Sequence, residues 1–104
     1  MTYETVLGAL ADPTRRAILE MLRDGPRSVT DLADDLPVSR PAVSQHLNIL
    51  RGANLVREER QGTRRFYSAE PEGLAELRAY LERFWGGVLG DFQKATARKN
   101  RRKK

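Results

Sequence analysis

Apolar side chains recur at steps of three and four residues in five segments of the chain, a spacing typical of helices that bury one face. Four of the five segments begin with a residue that favours a helix N-terminus, either an N-capping Asp or Ser or a proline in the first turn. The five segments start at Val6, Asp12, Ser28, Ser39 and Pro71. The pattern therefore predicts five helices, the last of them long.

The fourth predicted helix, from Ser39 to about Gly52, carries its apolar residues in one stripe. Val43, Leu47 and Leu50 fall at positions i, i+4 and i+7, so we expect them to face the core. At about 100° per residue, mostly polar residues are left on the outward side and its shoulder. These residues are Ser39, Arg40, Pro41, Ser44, Gln45 and Asn48. The outward side has no acidic residue, which suits an anionic partner.

Two β-prone runs, 55–60 and 63–68, surround the pair Gln61-Gly62 and predict a hairpin with a two-residue turn. In that register Glu58 lies opposite Arg65, Glu59 opposite Arg64 and Val56 opposite Tyr67. The two opposite-charge pairs support this pairing of the strands. The polar residues of the hairpin tip are Arg60, Gln61, Thr63, Arg64 and Arg65.

The predicted order is four helices, one β-hairpin and a last helix, so the fold class is mostly α. The third and fourth helices, joined by a tight turn at Leu36-Pro37-Val38, form a helix-turn-helix, and the hairpin that follows is its wing. A helix fits the major groove, where Gln45 and Asn48 can pair with adenine and Arg40 can read guanine or hold a phosphate. The arginines of the hairpin tip suit the DNA backbone or the minor groove. We therefore predict double-stranded DNA as the partner, contacted by residues 39–52 and by the wing, 57–66.

Length and charge indicate one small domain with a basic end. The chain has 104 residues, no cysteine and a net charge of +5. Residues 94–104 hold seven Lys and Arg and no acid, so we expect a domain over 1–96 and a disordered tail over 97–104. No apolar run approaches the roughly 20 residues that cross a bilayer, and the start does not read as a signal peptide. We expect a cytoplasmic protein that does not bind membranes.

Residues 11–19 and 38–50 resemble the ArsR/SmtB family of bacterial winged-helix repressors, and so does the segment 52–56 with the Arg-rich hairpin after it. The resemblance implies a homodimer built from the first and last helices. It also implies a partly palindromic operator, repression of transcription and release by a small-molecule effector. The expected dimer contacts are the apolar residues of those two helices: Val6, Leu7, Leu10, Leu77, Leu81, Phe84, Trp85 and Val88.

The sequence departs from the metal sensors of that family, which carry a Cys-containing motif on the third helix or His and carboxylates on the last. Here neither segment holds Cys or His, and the single histidine is His46 on the fourth helix. A single imidazole supplies too few ligands for a zinc site, so we expect no metal and no cofactor. We expect a packing or hydrogen-bonding role for His46. An apolar effector near Trp85 is a hypothesis that only the neighbouring residues suggest.

Two other functions remain open from the sequence. The basic tail could drive non-specific, architectural DNA binding, and the winged helix could be a protein-interaction module without a DNA role. We do not expect an enzyme, because the sequence offers no Gly-rich phosphate loop and no set of nucleophile, histidine and acid.

Overall fold

The computed structural model of the protein describes the backbone of residues 2–102, and the side chains of residues 2–87 and of Ala95. Within this part, helices and strands follow one another in the predicted order, with one additional short strand. The elements are α1 (Tyr3–Leu10), α2 (Pro13–Met21), a 3₁₀ turn (Leu22–Asp24), β1 (Arg27–Ser28), α3 (Val29–Asp34), α4 (Arg40–Gly52), β2 (Val56–Gln61), β3 (Arg64–Ala69) and α5 (Glu72–Arg102). The predicted fold class, a mostly helical winged helix-turn-helix, is confirmed.

The predicted N-caps of α2, α3 and α4 are confirmed. In each case a side-chain oxygen accepts a hydrogen bond from a backbone N–H of the first turn, which has no partner within the helix. The caps are Asp12 to Thr14 N and Arg15 N (2.7 and 3.1 Å), Ser28 to Asp31 N (3.1 Å) and Ser39 to Ala42 N (3.3 Å). The backbone N–H of Arg15, helped by that of Thr14, keeps the pKa of the Asp12 carboxyl below its ordinary value. This carboxylate therefore stabilises the fold above its unfolded-state pKa, and the contribution is lost as the pH falls through the lower folded-state value.

One core joins all these elements. The predicted stripe of α4 is confirmed, since Val43, Leu47 and Leu50 are fully buried. The other buried apolar residues come from the elements that precede α4 in the chain and from those that follow it. They are Val6, Ala9, Ile18, Leu22, Leu32, Ala53, Leu55, Val56 and Tyr67. Each large aliphatic side chain removed from water contributes about 1.5–3 kcal/mol, so α4 is held by the burial of its inner face.

The sheet has three antiparallel strands in the order β1-β3-β2. The hairpin β2–β3 confirms the prediction, whereas β1 pairs with Tyr67 and Phe66 of β3 and was not predicted. Two residues are too few for a period-2 pattern, so β1 has no signature in the sequence.

The predicted register of the hairpin is wrong by two residues. Glu58 lies opposite Tyr67 rather than Arg65, Glu59 opposite Phe66 rather than Arg64, and Val56 opposite Ala69 rather than Tyr67. The turn is therefore Gly62-Thr63, not Gln61-Gly62. Gly62 has φ +65°, and glycine at the first central position is the preference of a type II′ turn. A shift of two keeps every side chain on its own face, so the apolar pattern could not distinguish the two registers.

The last helix packs its first half against α1, where the rings of Tyr3 and Tyr80 stack with their centroids 3.9 Å apart. Its helical backbone extends to Arg102. Ala, Lys and Arg are good helix formers, which is compatible with this extension. The division into a domain over 1–96 and a tail over 97–104 stays a prediction. Within the described residues, none of the helices is long and apolar enough to cross a bilayer.

Candidate nucleic-acid interface

The helix-turn-helix consists of α3, the turn 35–39 and α4, and the two helices pack against each other. Because its inner face is fully buried, α4 must present the opposite face to solvent. Five of the six predicted contact residues are exposed there, and the sixth, Ser44, is half-buried. The exposed five are Ser39, Arg40, Pro41, Gln45 and Asn48. The structure therefore brings the predicted residues together on one polar, acid-free ridge.

This ridge also carries an aliphatic residue that the sequence analysis did not select. Ile49 is 47% exposed and lies beside Gln45 on the helix surface. Ile49 falls outside the buried stripe of Val43, Leu47 and Leu50, and from this position its exposure could have been predicted. An exposed methyl group next to an amide can contact a thymine methyl while the amide bonds a base edge.

All five predicted residues of the wing tip are exposed: Arg60, Gln61, Thr63, Arg64 and Arg65. Thr63, Arg64 and Arg65 line one side of a cleft of about 310 Å³, and Ser28, Val29 and Thr30 at the start of α3 line the other. The wing therefore lies next to the helix-turn-helix. Among the described residues Arg64 makes no ion pair, and its guanidinium carbon lies 5.1 Å from the centroid of the Phe66 ring.

The carboxylate of Glu58 ties the wing to the end of α4. It lies 2.6 Å from Nη1 of Arg51, 3.5 Å from Nε of Arg65 and 3.9 Å from Nε of Arg60. Its side chain is only 15% exposed, so this contact is screened less than a surface pair. Three guanidinium groups around one carboxylate leave two positive charges in excess, and the side chains of all three arginines are at least half exposed.

The ion pairs of the hairpin correct the expected ones. Glu59 pairs with Arg57 at 3.4 Å instead of Arg64, and Arg60 lies 3.9 Å from Glu58. The observed register is the cause, because it places Arg60 opposite Arg65. Among the arginines of the wing tip, Arg64 is the one that makes no ion pair with a described residue, so its positive charge is free for an external anion.

The residues expected at a dimer contact divide into two groups. Leu7, Leu81, Phe84 and Trp85 are exposed apolar side chains, and Phe84 is 67% exposed. Val6 is fully buried inside the chain, so its side chain is not presented to a partner, and Leu10 and Leu77 are half-buried. The side chain of Val88 lies outside the described residues. The ring centroids of Tyr80 and Phe84 lie 5.5 Å apart and those of Phe84 and Trp85 6.0 Å apart, so the exposed rings of Phe84 and Trp85 continue an aromatic row along α5.

A groove of about 570 Å³ lies between α2 and the start of α5, with walls formed largely by Leu10, Leu19, Leu55 and Leu74. Trp85, near which the sequence suggested an apolar effector, does not line this groove. Among the described side chains, no three His, Asp or Glu residues lie close enough to hold a metal ion.

Comparison with known proteins agrees with this geometry. Residues 12–58 match the family described as bacterial regulatory protein, arsR family. The chain is 62% identical over 81 residues to the HTH-type transcriptional regulator Rv2034 of Mycobacterium tuberculosis, covering 78% of this chain and 76% of that one. It is 41% identical over 63 residues to the transcriptional repressor SdpR of Bacillus subtilis, covering 61% and 70%.

Solved structures show the same fold. An ArsR-like transcriptional regulator from Rhodococcus sp. RHA1 superposes with a TM-score of 0.72 at 35% identity, covering 93% of this chain and 90% of that one. These relatives are transcriptional regulators and not enzymes, as the sequence predicted.

Proposed function

The chain belongs to the ArsR family of bacterial regulatory proteins, and we propose that it is a homodimeric repressor acting in the cytoplasm on a partly palindromic operator. The α4 ridge reads base edges in the major groove, and the wing holds the backbone. A relative named as a transcriptional repressor supports the direction of regulation. The observation that carries the proposal is the polar ridge of α4, exposed because Val43, Leu47 and Leu50 are buried beneath it.

The apolar face formed by Leu7, Leu81, Phe84 and Trp85 supports the dimer. Soluble monomers rarely leave several large neighbouring apolar side chains in water, and such a patch marks an interface. Two-fold symmetry of the protein would be matched by two half-sites in the operator, about 34 Å apart. We further propose that a small apolar effector releases the repressor, and the groove beside Leu19 and Leu74 has the size for it.

Selection of bound duplexes from a random pool tests the function as a whole. The full chain is expected to enrich one motif with two related half-sites centred one helical turn apart. A form lacking residues 97–104 should enrich the same motif, which separates sequence reading by α4 from attraction by the basic tail. Equal recovery of all duplexes, or loss of all binding without the tail, would instead favour non-specific, architectural DNA binding driven by the tail.

Gln45→Ala is expected to relax base preference at one position of each half-site. A paired amide contact to adenine contributes about 1–3 kcal/mol of discrimination, so preference at that base pair should fall by about five- to 150-fold. The measurement is the affinity for the selected site and for its single-base variants. Gln61→Ala makes the same chemical change at the wing tip and should leave every base preference intact. Unchanged discrimination in Gln45→Ala would exclude this residue from base reading.

Arg64→Ala is expected to weaken binding to all sequences alike. A side chain that neutralises one phosphate releases about one counterion, so the slope of log K against log salt should become shallower by about 0.9. Titrations from low to moderate salt measure the slope. The matched control is Arg78→Ala, because Arg78 is exposed on α5 and lies 3.1 Å from Glu82. If both variants keep the wild-type slope, the wing does not contact phosphate through Arg64.

A further inference from the structure

The guanidinium of Arg15 contacts two helices besides its own. Its Nε donates to the carbonyl oxygen of Ala9 at 2.6 Å and its Nη2 to that of Gly8 at 3.0 Å, both in the last turn of α1. Its Nη1 lies 3.4 Å from Nδ1 of His46 on α4. The neighbouring Arg16 donates, among the described residues, only to the end of α1 and its C-cap, at Leu10 O (2.7 Å) and Ala11 O (3.2 Å). The two arginines therefore share the capping of α1, and Arg15 alone extends this contact to α4.

The contact with Arg15 depends on the state of the imidazole. A guanidinium can only donate, so the contact is a hydrogen bond only when Nδ1 of His46 accepts, that is, when the ring carries a single proton, on Nε2. From α2, the guanidinium of Arg15 and the carboxylate of Asp12 face this ring, and α1 supplies carbonyl oxygens. α4 has no charged residue between Arg40 and Arg51. A second proton on the ring would remove the acceptor and set two cations side by side.

We propose that Arg15 is a positioning residue that couples the position of α1 to the orientation of α4 through its hydrogen bond to His46, so that protonation of His46, which removes the acceptor, weakens operator binding. This inference rests on the proposed dimeric DNA-binding function, in which α1 belongs to the dimer face and α4 to the DNA face. His46 is adjacent to Gln45, so a change at the ring moves the ridge that reads the bases. Coupling of this kind differs from general stabilisation because it depends on pH.

The test is the affinity of the full chain for its selected operator between about pH 8 and pH 5.5, at constant salt, a range in which histidine titrates. His46 is the single histidine of the chain, so the variants isolate its proton. Wild type should lose about tenfold more affinity on acidification than His46→Asn, whose amide oxygen can accept in place of Nδ1 but does not titrate. His46→Leu should bind weakly at both ends of the range, as wild type does at the acid end.

A matched pair of arginine variants separates coupling from folding. Both Arg15→Gln and Arg16→Gln remove capping bonds from α1, but only Arg15→Gln removes the donor to His46. We expect Arg15→Gln to lose the pH dependence and Arg16→Gln to keep it, with dimer content and helicity followed for every variant. The histidine variants carry the test if Arg15→Gln does not fold.

Identical pH profiles for wild type and His46→Asn would overturn the inference, and so would identical behaviour of the two arginine variants. Failure of the proposed function has a different signature, because wild type would then select no operator at any pH.

Discussion

Replacing Phe84 with glutamate is expected to convert the protein to a monomer and to weaken operator binding by more than about 100-fold. Phe84 is the most exposed of the large apolar side chains on the face that also includes Leu81 and Trp85. In a two-fold symmetric contact both copies present the same face, so one substitution buries two carboxylates against apolar surface. A monomer then binds each half-site separately and loses the high effective concentration that a dimer gives to the α4 of its second subunit.

Sedimentation equilibrium at micromolar protein and anisotropy titration of labelled operator measure the two effects. Arg78→Glu is the control, because it introduces a larger change of charge at a side chain of α5 that is 82% exposed. This variant should remain a dimer. Trp85, the single tryptophan, offers a second readout, because its emission should shift to longer wavelength when the face is exposed. A dimeric Phe84→Glu protein with wild-type affinity would place the subunit contact elsewhere.

Gly73→Ala is expected to destabilise the fold by about 2–4 kcal/mol, although alanine normally favours a helix over glycine by about 1 kcal/mol. Gly73 is buried in the first turn of α5, where its N–H donates to the carbonyl oxygen of Asn54 at 2.9 Å. A Cβ at this position would collide with the carbonyl oxygen of Ala53 and lie 2.8 Å from that of Asn54. These are backbone atoms of the turn after α4, so the start of α5 would have to move.

The turn after α4, which Gly73 contacts, is itself constrained, so moving this turn to make room for a Cβ atom should cost free energy. Asn54 has φ +56° and follows the C-cap of α4 in the left-handed conformation that asparagine tolerates better than most residues. Leu55 N then bonds to Leu50 O at 2.9 Å and Glu70 N to Leu55 O at 2.8 Å, so the segment is anchored on both sides. A displaced α5 would carry the proposed dimer face with it.

Thermal or urea unfolding measures this effect, and for a domain of this size the loss should lower the Tm by about 10 °C or more. Gly52→Ala is the matched control: it lies at the end of α4 and an added Cβ meets no atom within 4 Å. We expect this variant to be as stable as wild type or slightly more stable. A Gly73→Ala protein that also gained stability would show that the approach of α5 to this turn is not tight.

The elements and the polar ridge of α4 could be predicted because their determinants are local. A cap such as Ser39 acts within one turn, and the spacing of Val43, Leu47 and Leu50 decides which side of α4 is buried whatever packs against it. Five of the six residues predicted on the outward side and shoulder of this helix are indeed exposed. The same reasoning did not select Ile49, because it assigned aliphatic residues to the core only where they followed the stripe.

The hairpin shows where local patterns stop being sufficient. Pairing Glu58 with Arg65 looked favourable in the sequence, and the two groups do meet, at 3.5 Å, but diagonally across the strands. The first central position of the turn requires a positive φ, which Gly62 adopts without strain, so this position sets the register and the charge pairs adjust to it. Each such pair contributes only a few tenths of a kcal/mol to about 1 kcal/mol, which is too little to select a register.

By itself, the sequence determined that this chain forms a winged helix-turn-helix whose α4 presents a polar, acid-free outer face, because helix periodicity, caps and turn residues act over a few positions. Tertiary structure alone decided that Val6 is enclosed while Phe84 is exposed, that Glu58 lies close to the guanidinium groups of Arg51, Arg60 and Arg65, and that Arg15 contacts His46. These contacts join residues distant in sequence, and their distances depend on how the helices pack.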